Sequence, residues 1–215
     1  MQGPGYSVIA SDPYLVACDK ASGLLSVPGI GPEKADCLVS RLQVRFPGAR
    51  IVHRLDRDTS GAIVLALDAE THRALSRLFE AREVKKTYEA LVAGHLAADR
   101  GAVDLPLRKE ALGSARQIVH LTEGKPSLTH YEVLERGADA DGLAWTRVRL
   151  EPHTGRSHQL RVHMLSLGHA ILGDELYGTP EIREARPRLC LHARTLSFTH
   201  PRTAEATAFE APCPF

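Results

Sequence analysis

His53-Arg54-Leu55-Asp56-Arg57-Asp58-Thr59-Ser60-Gly61 crowds carboxylates, guanidiniums, hydroxyls and an imidazole into one short stretch between two apolar runs. A carboxylate can act as a nucleophile or a base, but in water near neutral pH it is a weak one, so position and desolvation must supply the advantage. Arginines on either side would favour the charged form of Asp56. Arg54 stands two residues earlier, so in an extended segment both side chains project from the same side. The same residues admit a plainer reading, in which Asp58-Thr59-Ser60-Gly61 is a turn with Asx-type hydrogen bonds and no chemistry.

A second group of polar side chains runs through Gly155-Arg156-Ser157-His158-Gln159-Leu160-Arg161-Val162-His163. His153, His158 and His163 recur every five residues, a spacing that puts them on different faces of a helix, and the H-E-x-x-H pairing is absent. Zinc is therefore disfavoured, and His53, His158 and His163 are expected to be structural hydrogen bonders. Gly29-Ile30-Gly31 is too little for a phosphate-cradling loop. No metal and no cofactor are expected.

A catalytic loop needs rigid flanks. Ile51 to Leu67 reads as a strand, a polar loop at Arg54 to Ser60, and a second, buried strand. Tyr14 to Cys18 is a short strand, and Gly23 to Gly29 a loop. Asp36 to Phe46 has Leu38, Leu42 and Phe46 at helical spacing, stopped by Pro47-Gly48. Thr71 to Arg82 is an amphipathic helix with Ala74, Leu75, Leu78 and Phe79 on one face. Tyr88 to Gly94, Ser127 to Leu134, Thr146 to Leu150 and Leu189 to Phe198 have strand composition, with imperfect alternation in the first three. Ser157 is placed to cap a helix that runs to Leu167 and closes at Gly168. Gly137 to Gly142 reads as a hairpin connection and Arg108 to Ser114 as a flexible loop. The sum is an α+β fold, a mixed and largely antiparallel sheet flanked by helices and loops.

With 215 residues and 43% hydrophobic content the chain can bury a sizeable core. No apolar run is long enough to span a bilayer, and Met1-Gln2-Gly3-Pro4 does not look like a leader, so a soluble cytoplasmic protein, without a membrane partner, is expected. Cys18, Cys37, Cys190 and Cys213 form no C-x-x-C pair and read as reduced, mostly structural thiols. The net charge of +1 argues weakly against a nucleic-acid partner. Its distribution argues the other way: Pro152 to Gly173 holds no acid, and Arg183 to Arg202 holds five arginines against Glu184. Arginine's planar fork suits phosphates and base edges, although a GC-rich coding bias would also favour arginine over lysine.

His53-Arg54-Leu55-Asp56 followed by Thr59-Ser60-Gly61 resembles the H-R-L-D-x-x-T-S-G signature of the pseudouridine synthases of the RluA type. Lys86-Thr87-Tyr88 is similar to that family's K-x-Y motif, and Gly155 to His163 to its third motif. Gly124-Lys125-Pro126, Gly173-Asp174-Glu175-Leu176-Tyr177-Gly178 and Leu191-His192-Ala193 match further landmarks, in family order. The resemblance implies a cofactor-free isomerase that turns uridine into pseudouridine in RNA. Asp56 is implied as nucleophile, Tyr88 as the group that removes the ring proton, and Arg161 as the partner of Asp56. Arg54, Thr59, Arg156, His158 and Gln159 are expected to bind substrate, with Arg54 filling the space left by a flipped base. Whether attack falls on the ribose or the ring, or a sugar proton is removed instead, stays open. Ser22 to Gly29, Gly155 to Leu165 and Pro187-Arg188-Leu189 are similar to the dual-specificity branch of the family, which implies a tRNA anticodon stem-loop and a 23S rRNA hairpin as partners. A different tRNA or rRNA site and a non-catalytic RNA-binding protein are the alternatives. Residues 1–215 are expected to form a single catalytic domain without a small S4-type RNA-binding domain, and to act as a monomer.

Overall fold

Residues 5–215 are described by the structure, a computed structural model. Met1 to Pro4, read above as lacking a leader, lie outside them. The chain divides into two units, one made of residues up to Lys86 together with His192–Pro214, the other of Thr87–Leu191 with Phe215.

In the first unit the apolar run after the polar loop becomes β4 (Ser60–Ala66), buried at every position. A strand covered on both faces has no use for polar alternation, which is why this one reads as a continuous aliphatic run. β2 (Leu15–Lys20) pairs antiparallel with it from Leu15↔Ala66 to Lys20↔Gly61, and β1 (Tyr6–Ser11) pairs antiparallel with β2. The two-residue β3 (Arg50–Ile51) adds antiparallel to the far end of β4. β11 (Leu191–Thr199) runs parallel to β4, with His192 opposite Ser60 and Ala193 opposite Gly61, and β12 (Ala206–Glu210) closes antiparallel on β11. The sheet is thus mixed, as expected. α1 (Leu38–Arg45) buries Leu38 and Leu42. α2 (Ala69–Glu80) starts at Asp68, whose carboxylate accepts the N–H groups of Glu70 and Thr71, and buries Leu75 against Ala62, Val64 and Leu196 with Leu78 and Phe79 alongside.

The second unit is antiparallel, in the order β5 (Lys85–Ala93), β10 (Ala144–Pro152), β9 (Leu128–Ala138), β6 (Arg100–Asp104). Its core unites Ala90, Val92, Val148, Leu150, Leu160, Met164 and Leu172. β9 carries a bulge: Arg147 faces Glu135 while Val148 faces Val133, so Leu134 is the extra residue and stands 43% exposed. One inserted residue reverses the alternation beyond it, which explains the imperfect pattern in the sequence. The segment expected to be a flexible loop contains structure, since β7 (Leu107–Lys109) and β8 (Gln117–Val119) form a separate hairpin around it.

α3 (Gln159–Ser166) corrects one expectation. Ser157 does not cap it; the helix starts after His158, which takes a left-handed conformation at φ 54° with no side-chain cap. The closing glycine is as expected: Gly168 at φ 84° donates to Leu165 O (2.8 Å) and His169 to Met164 O (3.0 Å), a Schellman ending. A short α4 (Pro180–Glu184) follows. Among the described residues no helix is long and apolar enough to cross a membrane.

Candidate active site

The loop from Val52 to Thr59 joins β3 to β4, and its backbone is tied down on both sides of Asp56. Before it, Ser26 Oγ accepts the N–H of buried Leu55 (3.1 Å) and donates to its carbonyl (2.8 Å). After it, the Arg57 carbonyl accepts Gly23 N–H (2.9 Å) and Lys20 Nζ (2.9 Å), and the Asp58 carbonyl accepts Ser22 Oγ (2.7 Å). Lys20 is fully buried and also donates to Ala21 O (2.9 Å) and Leu24 O (2.7 Å), so its ammonium hydrogens are all matched by carbonyls. A buried cation without such partners would cost more than the fold could tolerate. These anchors come from residues 20–26, the stretch singled out above only for its resemblance.

Asp56 itself is half-buried, and its carbonyl accepts Thr59 N–H at 3.2 Å, closing a turn. Thr59 is buried, and among the described residues its Oγ1 has no hydrogen-bond partner. Arg54 and Arg57 are exposed, and Arg57 pairs with the neighbouring Asp58 at 2.9 and 3.1 Å. The turn ends in a lock: Ser60 Oγ lies 2.8 Å from His192 Nδ1, and His192 Nε2 lies 3.0 Å from Ala211 O. A carbonyl can only accept, so Nε2 carries the hydrogen, and in the neutral ring Nδ1 accepts from the serine. Gly61 follows at φ 114°, where a Cβ would stand 2.2 Å from Ala193 O. Only glycine lets the two strands approach there.

His53 is structural, as expected. Its ring stacks on Phe79 at 4.4 Å, and Nε2 accepts the N–H of Val64 at 3.2 Å. Burial, helped by the Lys86 ammonium, pushes its pKa down to about 3, which agrees with a bare Nε2. Lys86 of the K-x-Y motif is half-buried, and burial lowers its pKa as well.

In the second unit Tyr88 lies on β5 opposite Leu150, half-buried against the core cluster that includes Leu160 and Met164. Arg161, on α3, is buried and makes a two-toothed ion pair with Asp174, Nε to Oδ2 at 2.7 Å and Nη2 to Oδ1 at 2.6 Å. Gln159 is also buried, and its amide is used on both sides. Oε1 accepts Thr154 Oγ1 (2.7 Å) and Arg156 N–H (3.1 Å), while Nε2 donates to Leu128 O and Thr129 Oγ1, both at 3.0 Å. Every polar position of that side chain is thereby spent inside the protein, so it braces the turn that presents Arg156. Arg156 is exposed, with Nε 3.3 Å from Pro126 O. His158 is half-buried and bonds Tyr177 through Nδ1 at 2.8 Å. His163 is fully buried between Thr129 Oγ1 (2.9 Å) and Leu105 O (3.1 Å), with its pKa lowered by burial.

Asp56 therefore belongs to one unit, and Tyr88 and Arg161 to the other. Sequence reasoning missed Lys20, Ser22, Ser26, Asp174, Tyr177 and His192 as supports. Two signals were available: a lysine ending a strand that opens with four apolar residues, Leu15 to Cys18, and motif residues to which no role was attached. No cluster of three or more potential metal ligands exists among the described residues.

A family model described as RNA pseudouridylate synthase matches residues 14–166. The chain is 48% identical over 212 residues to the dual-specificity RNA pseudouridine synthase RluA of Pasteurella multocida (strain Pm70), covering 99% of this chain and 95% of that one. It is 48% identical over 214 residues to the protein of the same name from Escherichia coli (strain K12), covering 100% and 96%. Among solved structures, human RNA pseudouridylate synthase domain containing 1 superposes with a TM-score of 0.83 at 34% identity, covering 100% of this chain and 86% of that one.

Proposed function

The chain belongs to the RNA pseudouridylate synthase family, and from that premise we propose that it isomerises uridine in two structured RNAs, a tRNA anticodon stem-loop and a hairpin of 23S rRNA, with Asp56 as nucleophile. The single observation that carries the choice of targets is the near-half identity, along the whole chain, to relatives called dual-specificity. The anchoring of the Asp56 loop on both sides supports the nucleophile, because a weak carboxylate gains from a fixed position.

In this reading the target uridine leaves its stack and Asp56 acts on it. The bond from the sugar to the ring nitrogen breaks, the base turns, and a carbon–carbon bond replaces it. Tyr88 then takes the proton from the newly bonded ring carbon, and Arg161 sustains the charge of the carboxylate. Arg54, exposed at the loop, fills the gap in the RNA, and Arg156 contacts phosphate. Extrusion costs a few kcal/mol and least in loops and bulges, which suits hairpin targets. The protein acts as a monomer in the cytoplasm, and nothing in the reaction calls for a cofactor.

The test is to incubate the purified protein with unmodified tRNA and 23S transcripts and to map new pseudouridines by carbodiimide-dependent primer-extension stops. Stops in one anticodon stem-loop and one 23S hairpin are expected. Stops elsewhere would replace the targets and keep the chemistry; none on any transcript would remove the reading.

A further inference from the structure

Gly173 to Gly178 has no part in the chemistry above, yet it supplies two groups packed against Arg161. Asp174, fully buried, holds one edge of the guanidinium at 2.7 and 2.6 Å, and its Oδ1 also accepts the N–H groups of Leu176 (2.9 Å) and Tyr177 (3.0 Å). One carboxylate thus fixes both the arginine and the turn that carries the tyrosine. The ring of Tyr177 lies 5.0 Å from the central carbon of Arg161, close enough for its negative face to attract the cation.

The carboxylate and the ring constrain different motions. A two-toothed pair fixes the edge of a guanidinium but lets its plane tilt about that edge; an aromatic face removes the tilt. Arg161 has N–H donors beyond the two that Asp174 uses, and their direction is what remains to be set.

Tyr177 is itself held with unusual firmness. It is buried, and its hydroxyl accepts Gln117 N–H at 2.7 Å and faces His158 Nδ1 at 2.8 Å. Burial raises the phenol's pKa, so the oxygen keeps its hydrogen. Arg116 lies 5.1 Å from the same ring. The turn beneath is fixed at Gly173, φ 76°, where a Cβ would stand 1.8 Å from Arg188 O.

We propose that Tyr177 is a positioning residue for Arg161, the face that sets the plane of the guanidinium, and that it therefore governs the rate of isomerisation and not the affinity for RNA. This rests on the reading of Arg161 as a catalytic group. His158 acts at one remove, by holding the phenol.

The experiment compares single-turnover rates at saturating RNA, and RNA dissociation constants, for Tyr177→Leu, Tyr177→Phe and Arg161→Ala, on a transcript the wild type modifies. Tyr177→Leu is expected to lose about ten- to a hundredfold in rate, a loss typical of a misplaced group, with affinity within about twofold of wild type. Tyr177→Phe, which keeps the face and gives up the hydroxyl, is expected to recover most of the loss. Should Tyr177→Leu melt below the assay temperature, Tyr177→Met, which fills the space without a ring, is read in its place. A full rate in the ring-less variant, a loss confined to RNA affinity, or Tyr177→Phe as slow as Tyr177→Leu would each overturn the proposal. A full rate in Arg161→Ala would instead remove the reading of Arg161 on which it rests.

Discussion

Ser60 and His192 stand 132 residues apart in the chain, and their side chains meet at 2.8 Å in a buried hydrogen bond. Through Ala211 O the same imidazole also holds the C-terminal segment, so one ring fastens the end of the Asp56 loop to two separate stretches of chain. Ser60→Ala removes this buried hydrogen bond to His192, at a cost of about 1–3 kcal/mol. The melting temperature should fall by roughly 2–4 °C for each kcal/mol in a chain of this size. An unchanged melting curve would show that the bond contributes nothing to stability.

Asp56→Asn keeps the shape of the side chain and removes its charge. Product formation on transcripts should drop more than about a thousandfold, the scale seen when a nucleophile is removed. The melting temperature should hardly move, because the loop's backbone carbonyls are held by the side chains of Lys20, Ser22 and Ser26. Retained turnover would discard Asp56 as nucleophile.

Gly61→Ala should be among the most damaging single methyl additions in the chain. The new carbon would stand 2.2 Å from Ala193 O and 2.6 Å from Ala193 N, both backbone atoms in the parallel pairing. A loss of about 4 kcal/mol or more, or failure to fold, is expected. Gly23→Ala provides the contrast: its φ is also positive, at 85°, but nothing lies within 4 Å, so only the left-handed penalty of about 1–2 kcal/mol applies. Urea denaturation of the two variants should separate them clearly.

Acid should destabilise the protein through His53. Its folded pKa is lowered to about 3, below the usual histidine value, so the unfolded chain takes up this proton first as pH falls. The stability that the neutral ring contributes is complete above about pH 6.5 and is lost progressively down to about pH 3, by up to about 1.4 kcal/mol per pH unit. His163, also lowered by burial, acts with the same sign. His53→Phe should flatten part of the slope between pH 6.5 and 5 in urea titrations, and an unaltered slope would refute the assignment.

The strand–loop–strand around Asp56 was legible because a fully buried strand must be apolar throughout, and Ser60–Ala66 is nearly so. The helix over Ala69–Glu80 was legible because one face repeats at helical spacing. β1, β6, β7, β8 and β12 escaped notice because short, half-exposed strands carry no such pattern, and β9 was read only as far as Leu134 because the bulge there reverses its phase. Ser157 has the hydroxyl of a cap, but the turn before α3 is stabilised by the Gln159 amide instead, and His158 is left-handed. The roles of Asp174, Tyr177 and His192 were invisible for a different reason. Periodicity reports which face of an element is covered, not which distant residue covers it.

The parallel contact between β4 and β11 sets an order of events during synthesis. The strand that ends the Asp56 loop pairs with residues 192 and 193, so the Ser60–His192 lock cannot close until a chain emerging from the ribosome has reached them. Closing that long loop makes folding slow compared with a chain of local contacts.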